Sequence, residues 1–316
     1  MKDVSRMKHI VIAGAGLMGV SLAQIFAGEG FQVTIYDIAE SGIEKGKNLL
    51  DLNQKVAMEE KTMSGEESKQ LKNRIEFTMK KDIFKEADFV IEAIVENLEV
   101  KQEFWKEVSK LVNEEIVLAT NTSGLSITEI GKAVKKPERF AGMHWVNPPH
   151  LVPLVEVIKG DQTDLETLKI IEKTAQAVRK KPVLVKKDAP GFVLNRLQYA
   201  LLREALYIVE NGIADCEDVD NVMKYGLGMR YASIGPFETV DLGGLDTFFK
   251  VGSYLFRELS AEQEVPALLR QRYEEGAYGT KTGKGFYEYT EQEVSEVIEK
   301  RDRDFTKLGK LLFKDL

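Results

Sequence analysis

Apolar residues in the first 187 positions form short runs that alternate with stretches of helical periodicity. Strands are predicted over 9–13, 31–37, 74–79, 88–94, 116–120, 139–145, 154–160 and 182–187. Helices are predicted over 17–27, 97–112, 126–134 and 164–178, with a polar helix pair over 48–73 that projects from the sheet. This alternation predicts an α/β domain with a mainly parallel sheet covered by helices on both faces.

The pattern changes after the KKDAPGF segment. From there, apolar residues keep helical spacing over 192–210, 216–228 and 235–259, and the tail over 291–316 is also helical. The sequence therefore predicts two domains, an α/β domain over 1–187 and an all-helical domain over 188–316. The helix over 192–210 carries apolar side chains almost all round, which favours a surface for a partner.

Composition excludes several classes of protein. The chain has 316 residues, 43% of them hydrophobic, and a net charge of −7 with basic residues scattered among acids, so we expect no nucleic-acid partner. No apolar run approaches the roughly 18 residues of a membrane span. A single cysteine, Cys216, rules out an internal disulfide or a cysteine metal cluster, and no metal is expected. The first strand leaves no room for a signal peptide, so we expect a cytoplasmic location.

The first predicted strand leads into a glycine-rich loop, HIVIAGAGLMG. Gly14, Gly16 and Gly19 have the spacing that permits a tight turn, close approach of a pyrophosphate, and close packing of the next helix. Asp37 ends the second strand, where a carboxylate can accept hydrogen bonds from ribose hydroxyls and repel a 2′-phosphate. We therefore expect an NAD site rather than an NADP site.

Candidate catalytic residues lie near the ends of later strands. His144 ends one strand, where an open α/β sheet binds its ligands, and Glu156 interrupts an apolar run twelve residues later. A histidine base oriented by a carboxylate can take a proton from an alcohol, although a structural histidine and an exposed glutamate fit the spacing equally well. Ser123 and Asn195 are two further polar positions that are candidates for the site, but each could instead be a helix cap or form a local hydrogen bond.

Taken together, the motifs resemble those of the 3-hydroxyacyl-CoA dehydrogenase family. In order, they are GAGLMG, VIEAIVENLEVK, NTSGLSITEI, RFAGMHWVNPP, LVPLVEVIKG, PGFVLNR, GPFETVDLGGLDT and KTGKGFYEY, spanning residues 8 to about 290. The resemblance implies a Rossmann-like NAD-binding domain, a helical domain that forms a homodimer, and oxidation of a secondary 3-hydroxyl of a small-molecule substrate to a ketone.

The resemblance also implies roles for individual residues. It makes His144 the base and Glu156 its orienting partner, and it places Ser123 and Asn195 on the substrate. The positions that it assigns to the cofactor are Gly14, Gly16, Leu17, Met18, Gly19, Asp37, Glu96, Lys101, Asn147 and Lys281.

Some positions depart from the family pattern. Gly124 stands where a second serine is usual, and Asn53, Glu59 and Glu60 occupy a region where family members meet the CoA phosphates with a serine and lysines. The MRYASIGP segment is similar to the λ-crystallin/L-gulonate 3-dehydrogenase branch and to L-carnitine dehydrogenases, which act on free carboxylates. This resemblance implies that Arg230 of this chain clamps a carboxylate, although a surface salt bridge is the other interpretation of Arg230.

Three functions therefore stay open from the sequence. The leading one is a dehydrogenase of short-chain L-3-hydroxyacyl-CoA, such as 3-hydroxybutyryl-CoA. The second is a dehydrogenase of a free 3-hydroxy acid that resembles L-gulonate or carnitine. The third is a non-catalytic structural protein of the crystallin kind, against which the presence of both members of the histidine–glutamate pair argues.

Overall fold

The computed structural model describes residues 4–59 and 61–313. Eight strands form one sheet: β1 His9–Ala13, β2 Gln32–Tyr36, β3 Ile75–Thr78, β4 Phe89–Glu92, β5 Val117–Thr120, β6 Phe140–Trp145, β7 Leu154–Ile158 and β8 Lys181–Val185. The helices around it are α1 Leu17–Gly28, α2 Glu40–Glu59, α3 Gly65–Asn73, α4 Leu98–Leu111, α5 Ile127–Gly131 and α6 Leu165–Ala177, with 3₁₀ turns at Val4–Arg6, Lys81–Glu86 and Pro137–Arg139.

The sheet has the strand order β3-β2-β1-β4-β5-β6-β7-β8. All neighbouring pairs are parallel except β6 and β7, which run antiparallel. Ile10 and Ile12 pack into the apolar layer on one face, whereas Val11 and Ala13 pack into the layer on the other. Burial on both faces explains why these strands read as continuous apolar runs. The predicted α/β sheet with helices on both faces is confirmed.

The helix pair that was predicted over 48–73 starts earlier than its polar pattern indicated. The helix α2 already begins at Glu40, and Gly46 in its first half is buried. A Cβ at Gly46 would stand 3.0 Å from both Ala15 and Phe77. The sequence-based start at residue 48 is therefore wrong, since the buried glycine carries no apolar signal.

The second half of the chain is helical, as predicted. Its helices are α7 Leu194–Glu210, α8 Cys216–Val222, α9 Met229–Tyr231, α10 Pro236–Gly243, α11 Leu245–Leu255, α12 Ala267–Glu274 and α13 Glu291–Leu312, with a π-helical turn over Met223–Gly228 between α8 and α9. Short β-bridges join Gly279 to Lys284 and Lys284 to Glu288.

The chain divides into two compact units, one that ends at Leu194 and one that begins at Asn195. The boundary expected from the sequence, between residues 187 and 188, stays a prediction about where two domains separate. In the part of the chain that is described, no helix combines the length and apolar character that crossing a membrane requires.

Candidate active site

The antiparallel pair β6–β7 brings together the two candidate catalytic residues. His144 and Glu156 are directly opposite each other in the strand register, so their side chains lie on the same face of the sheet. His144 Nδ1 lies 2.8 Å from Glu156 Oε2, and both side chains are buried. With the carboxylate accepting from Nδ1–H, the imidazole is held in the tautomer whose Nε2 carries the lone pair.

The second carboxylate oxygen of Glu156 is also engaged. The backbone amides of Val193 and Leu194 each donate to Oε1 at 2.9 Å, and Leu194 is the first residue of α7. Burial raises the pKa of the Glu156 carboxyl, but hydrogen bonds from His144 and from the two amides outweigh burial, so its pKa lies below the ordinary value. Glu156 is therefore an anion that both orients His144 and binds the start of α7.

Phe192 is a functional candidate that sequence reasoning missed. Its buried ring lies 5.6 Å from the imidazole of His144, centroid to centroid. Its φ of 51° falls in the left-handed region, which is strained for a residue other than glycine. The strained turn places the apolar ring against the His144 imidazole and presents the following amides to Glu156. Nothing in the PGF sequence signals a left-handed phenylalanine.

Ser123 lies in an exposed turn after β5 that Glu96 holds in place. Glu96 Oε1 accepts a hydrogen bond from the Thr122 hydroxyl at 2.5 Å and from the Ser123 amide at 2.9 Å. The Thr122 hydroxyl in turn accepts from the Leu125 amide at 3.0 Å. The structure thus brings two sequence-predicted residues, Ser123 and Glu96, into direct contact, with Glu96 bound to the serine's backbone.

Lys101 is enclosed in the protein rather than exposed. Its ammonium forms a fully buried ion pair with Glu92 and lies 3.5 Å from Glu96 Oε2. Glu92 also accepts from the Thr120 hydroxyl at 2.7 Å and from the Trp105 indole at 3.3 Å. Sequence reasoning missed Glu92, although a lone acid that ends the apolar run FVIE gives the same signal that singled out Glu156.

The end of the His144 strand is tied to the neighbouring strand by Asn121. Its side-chain oxygen accepts from the Trp145 amide at 3.0 Å. Asn121 was also missed, although its position directly after β5 at the carboxyl end of the sheet could have marked it. Asn147, which follows two residues after Trp145, is exposed at the same end of the sheet.

The glycine-rich loop has the geometry that a dinucleotide pyrophosphate needs. Gly14 has a φ of 105°, and a Cβ there would lie 2.5 Å from the carbonyl oxygen of Ala93. A Cβ at Gly19 would lie 1.9 Å from the Gly14 carbonyl oxygen. Beside Gly16, by contrast, there is open space, and Leu17 and Met18 begin α1 without a side-chain cap among the described residues. The loop thus fits a bound phosphate group at a helix N-terminus.

Asp37 is close enough to this loop to shape it. Its Oδ2 accepts from the Ala15 amide at 2.9 Å, and its Oδ1 accepts from the Ala39 amide at 3.0 Å. Because a carboxylate has about four acceptor positions, these two bonds leave capacity for ribose hydroxyls. The carboxylate therefore fixes the loop, and its role as a ribose partner stays a prediction.

The other sequence-predicted residues lie in the second unit. Asn195 is in the first turn of α7, Arg230 is exposed in α9, and Lys281 is exposed in the turn between the bridged residues Gly279 and Lys284. Their roles stay predictions. Cys216 begins α8 as a free thiol, and the described residues contain no cluster of side chains suited to a metal.

The acidic region that is expected to disfavour CoA phosphates lies at the end of α2, and the structure describes part of it. Glu59 ends α2 with its carboxylate exposed, 3.8 Å from the ammonium of Lys55. Asn53, six residues earlier in the same helix, is partly buried. Glu60, which the sequence analysis also placed here, lies outside the described residues.

Comparison with known proteins shows the family of the chain. Residues 9–189 match the model for the NAD-binding domain of 3-hydroxyacyl-CoA dehydrogenase, and residues 191–289 match the model for its C-terminal domain. The chain belongs to the 3-hydroxyacyl-CoA dehydrogenase family. It is an NAD-dependent oxidoreductase, and the expected cofactor and family are confirmed.

Individual relatives differ in what they act on. The chain is 34% identical to 5-formyl-3-hydroxy-2-methylpyridine 4-carboxylate 5-dehydrogenase of Mesorhizobium japonicum, over 97% of this chain and 98% of that one. It is 38% identical to a probable 3-hydroxybutyryl-CoA dehydrogenase of Deinococcus radiodurans, over 90% of this chain and 100% of that one. The crystal structure of a 5-formyl-3-hydroxy-2-methylpyridine 4-carboxylic acid 5-dehydrogenase, an NAD⁺-dependent dismutase, matches 97% of this chain and 98% of that chain. The two structures agree with a TM-score of 0.88 at 35% sequence identity.

Proposed function

We propose that this enzyme reversibly oxidises the 3-hydroxyl of a short-chain L-3-hydroxyacyl-CoA, such as 3-hydroxybutyryl-CoA, to the 3-oxoacyl-CoA. The observation that carries the reaction is the buried pair of His144 and Glu156 at the carboxyl end of the sheet. Family models cover most of the chain, and several relatives are named 3-hydroxybutyryl-CoA dehydrogenase, which supports the acyl-CoA substrate.

In the oxidative direction His144 Nε2 takes the proton of the substrate hydroxyl. The imidazolium that results is stabilised by the Glu156 carboxylate at Nδ1, a charge arrangement that is in place before the reaction begins. When it is bound, the cofactor supplies the acceptor for the hydride that leaves C3 of the substrate. In the reductive direction the imidazolium returns its proton from Nε2 to the oxygen of the product alcohol.

The remaining proposed residues bind and orient. Ser123 and Asn195 hold the reacting oxygen, which sets the geometry of attack. The residues that hold the cofactor in this proposal are Gly14, Gly16, Leu17, Met18, Gly19, Asp37, Glu96, Lys101, Asn147 and Lys281. Since the ammonium of Lys101 is buried between two carboxylates, its contribution passes through Glu96.

A second candidate is a dehydrogenase whose substrate carries a free carboxylate. The observation in its favour is coverage, because the relative named for a pyridine 4-carboxylate extends over 97% of this chain, whereas the acyl-CoA relative extends over 90%. The helix α13 lies beyond the end of the family's C-terminal model at residue 289. In this alternative the exposed guanidinium of Arg230 binds the carboxylate.

A substrate panel separates the two. Acetoacetyl-CoA with NADH, and L-gulonate, L-carnitine and the pyridine 4-carboxylate with NAD⁺, are compared by the change in NADH absorbance. Turnover of acetoacetyl-CoA with a kcat/KM at least tenfold above every free acid supports the first proposal. Turnover confined to free acids replaces it with the second, and no turnover of any member contradicts both.

We also propose that the enzyme is a homodimer formed through the second unit. Large apolar side chains are exposed along α10 and α11 and directly after α11, among them Phe237, Leu242, Phe249 and Phe256. Such density of exposed aromatic and aliphatic side chains is typical of an interface. Light scattering coupled to size-exclusion chromatography should give twice the chain mass, whereas a monomer at micromolar concentration would contradict the proposal. A cytoplasmic location stays a prediction.

A further inference from the structure

Lys180 is a buried lysine that the proposed reaction does not use. Its side chain is only 7% exposed, and it lies between α6 and β8. Its ammonium donates to the carbonyl oxygens of Pro149, at 2.6 Å, and Val152, at 3.1 Å. Burial lowers the pKa of this amine to about 8. Burying an amine is unfavourable in free energy unless it forms hydrogen bonds, so its two hydrogen-bond partners indicate its structural role.

Both partners belong to the loop over residues 146–153 that joins β6 to β7. This loop connects the strand of His144 to the strand of Glu156, and Asn147 is exposed within it. Three of its eight residues are prolines, which have no amide to donate. Among the amides that remain, those of Leu151 and Val152 both donate to the carbonyl oxygen of Pro148.

The loop therefore depends on donors from outside itself. Lys180 supplies two of them through its ammonium, and the backbone amide of Lys181 supplies another, to Pro153 at 2.8 Å. An apolar side chain at position 180 would leave two carbonyl oxygens in a buried region without these donors. Pro148 and Pro149 are themselves buried, so the ammonium fixes the part of the loop beside Asn147.

We propose that Lys180 is a positioning residue for the cofactor site, which holds the 146–153 loop so that Asn147 meets NAD. The proposal rests on the proposed role of Asn147. It predicts that losing the ammonium weakens cofactor binding through Asn147, while the His144–Glu156 pair, which belongs to the flanking strands, keeps its hydrogen bond.

The test is a double-mutant cycle read by NADH fluorescence. Lys180→Met and Asn147→Ala should each weaken NADH binding by roughly fivefold to twentyfold, the scale of one or two lost hydrogen bonds. The double variant should bind NADH about as weakly as Asn147→Ala alone, because Lys180 acts through that residue. Lys181→Met, the adjacent exposed lysine, is the matched control and should bind NADH normally.

Lys180→Gln keeps two N–H donors without the charge, so it should recover part of the affinity for NADH. It also replaces Lys180→Met in the double-mutant cycle if the methionine variant does not fold. Unchanged NADH affinity in both Lys180 variants overturns the inference, and so do effects that simply add in the double variant. If Asn147→Ala itself binds NADH normally, the proposed role of Asn147 fails and the inference fails with it. If Asn147→Ala binds NADH weakly while the Lys180 variants bind it normally, the inference about Lys180 is overturned and the proposed role of Asn147 stands.

Discussion

His144 and Glu156 face each other across the antiparallel pair of strands β6 and β7, with Nδ1 and Oε2 2.8 Å apart. The reversal at β7 is what makes them direct partners in the strand register. The other oxygen of Glu156 binds the amides of Val193 and Leu194, so one carboxylate orients the His144 imidazole and fixes the start of α7.

Replacing Glu156 by Gln should impair catalysis more than cofactor binding. The amide keeps the size of the side chain but removes the charge that stabilises the imidazolium, so kcat should fall on the order of 10²-fold. Steady-state kinetics and NADH fluorescence check this together. A kcat within threefold of the unmodified enzyme would remove Glu156 from the mechanism.

The same carboxylate makes folding depend on pH. The pKa of Glu156 in the folded protein is lower than its ordinary value of 4.5, so the folded state binds fewer protons there than the unfolded state. Its contribution to stability is therefore present above pH 4.5 and is lost as the pH falls through the folded pKa. Urea unfolding of the unmodified protein and of Glu156→Gln should show a difference in free energy of unfolding that shrinks between pH 6 and pH 3. A difference that grows on acidification would contradict this assignment.

Asp37 should determine cofactor choice. Asp37→Ala should lower kcat/KM for NAD and narrow the preference over NADP, because it removes the charge facing a 2′-phosphate and the acceptor for the Ala15 and Ala39 amides. Asp37→Asn is the matched control, since it keeps an acceptor for the loop but not the charge. Equal kcat/KM for NAD and NADP in the unmodified enzyme would contradict the role of Asp37.

The buried pair of Glu92 and Lys101 should couple strongly in stability. Lys101→Met leaves a buried carboxylate without its cation, which should cost about 3–5 kcal/mol in free energy of unfolding. The double variant Glu92→Gln/Lys101→Met should recover a large part of that loss. Lys106→Met, on the exposed face of the same helix, is the control and should change stability little. A double variant no more stable than Lys101→Met alone would show that the two groups are not coupled.

Variants of the charged positions distinguish the two substrate classes. If a free carboxylate is bound by Arg230, Arg230→Met should raise KM for that acid by roughly tenfold to a hundredfold. If CoA esters are the substrates, Arg230→Met should leave their KM unchanged, and Glu59→Lys should improve acetoacetyl-CoA binding, less so at high salt. Turnover of acetoacetyl-CoA without activity on any free acid would reject the role of Arg230.

Local patterns were sufficient to predict the sheet, because burial on both faces of its strands leaves continuous apolar runs. They also marked His144 and Glu156 as a candidate pair, although from the spacing alone a structural histidine and an exposed glutamate were equally possible. They could not show that Glu156 binds the amides at the start of α7. Val193 and Leu194 follow Glu156 by 37 and 38 positions in the sequence, and no local pattern reports a contact over that separation. Phe192 was beyond prediction for a different reason, since a left-handed φ at phenylalanine is imposed by its surroundings.

The most direct test of the central claim is the behaviour of His144→Gln on whichever substrate the panel identifies. Loss of the base should lower kcat on the order of 10²-fold or more, while the Kd for NADH stays within about twofold, because the glycine loop and Asp37 are untouched. His9→Gln, at the amino end of β1, is the control and should retain full turnover. Near-native kcat in His144→Gln would contradict the account.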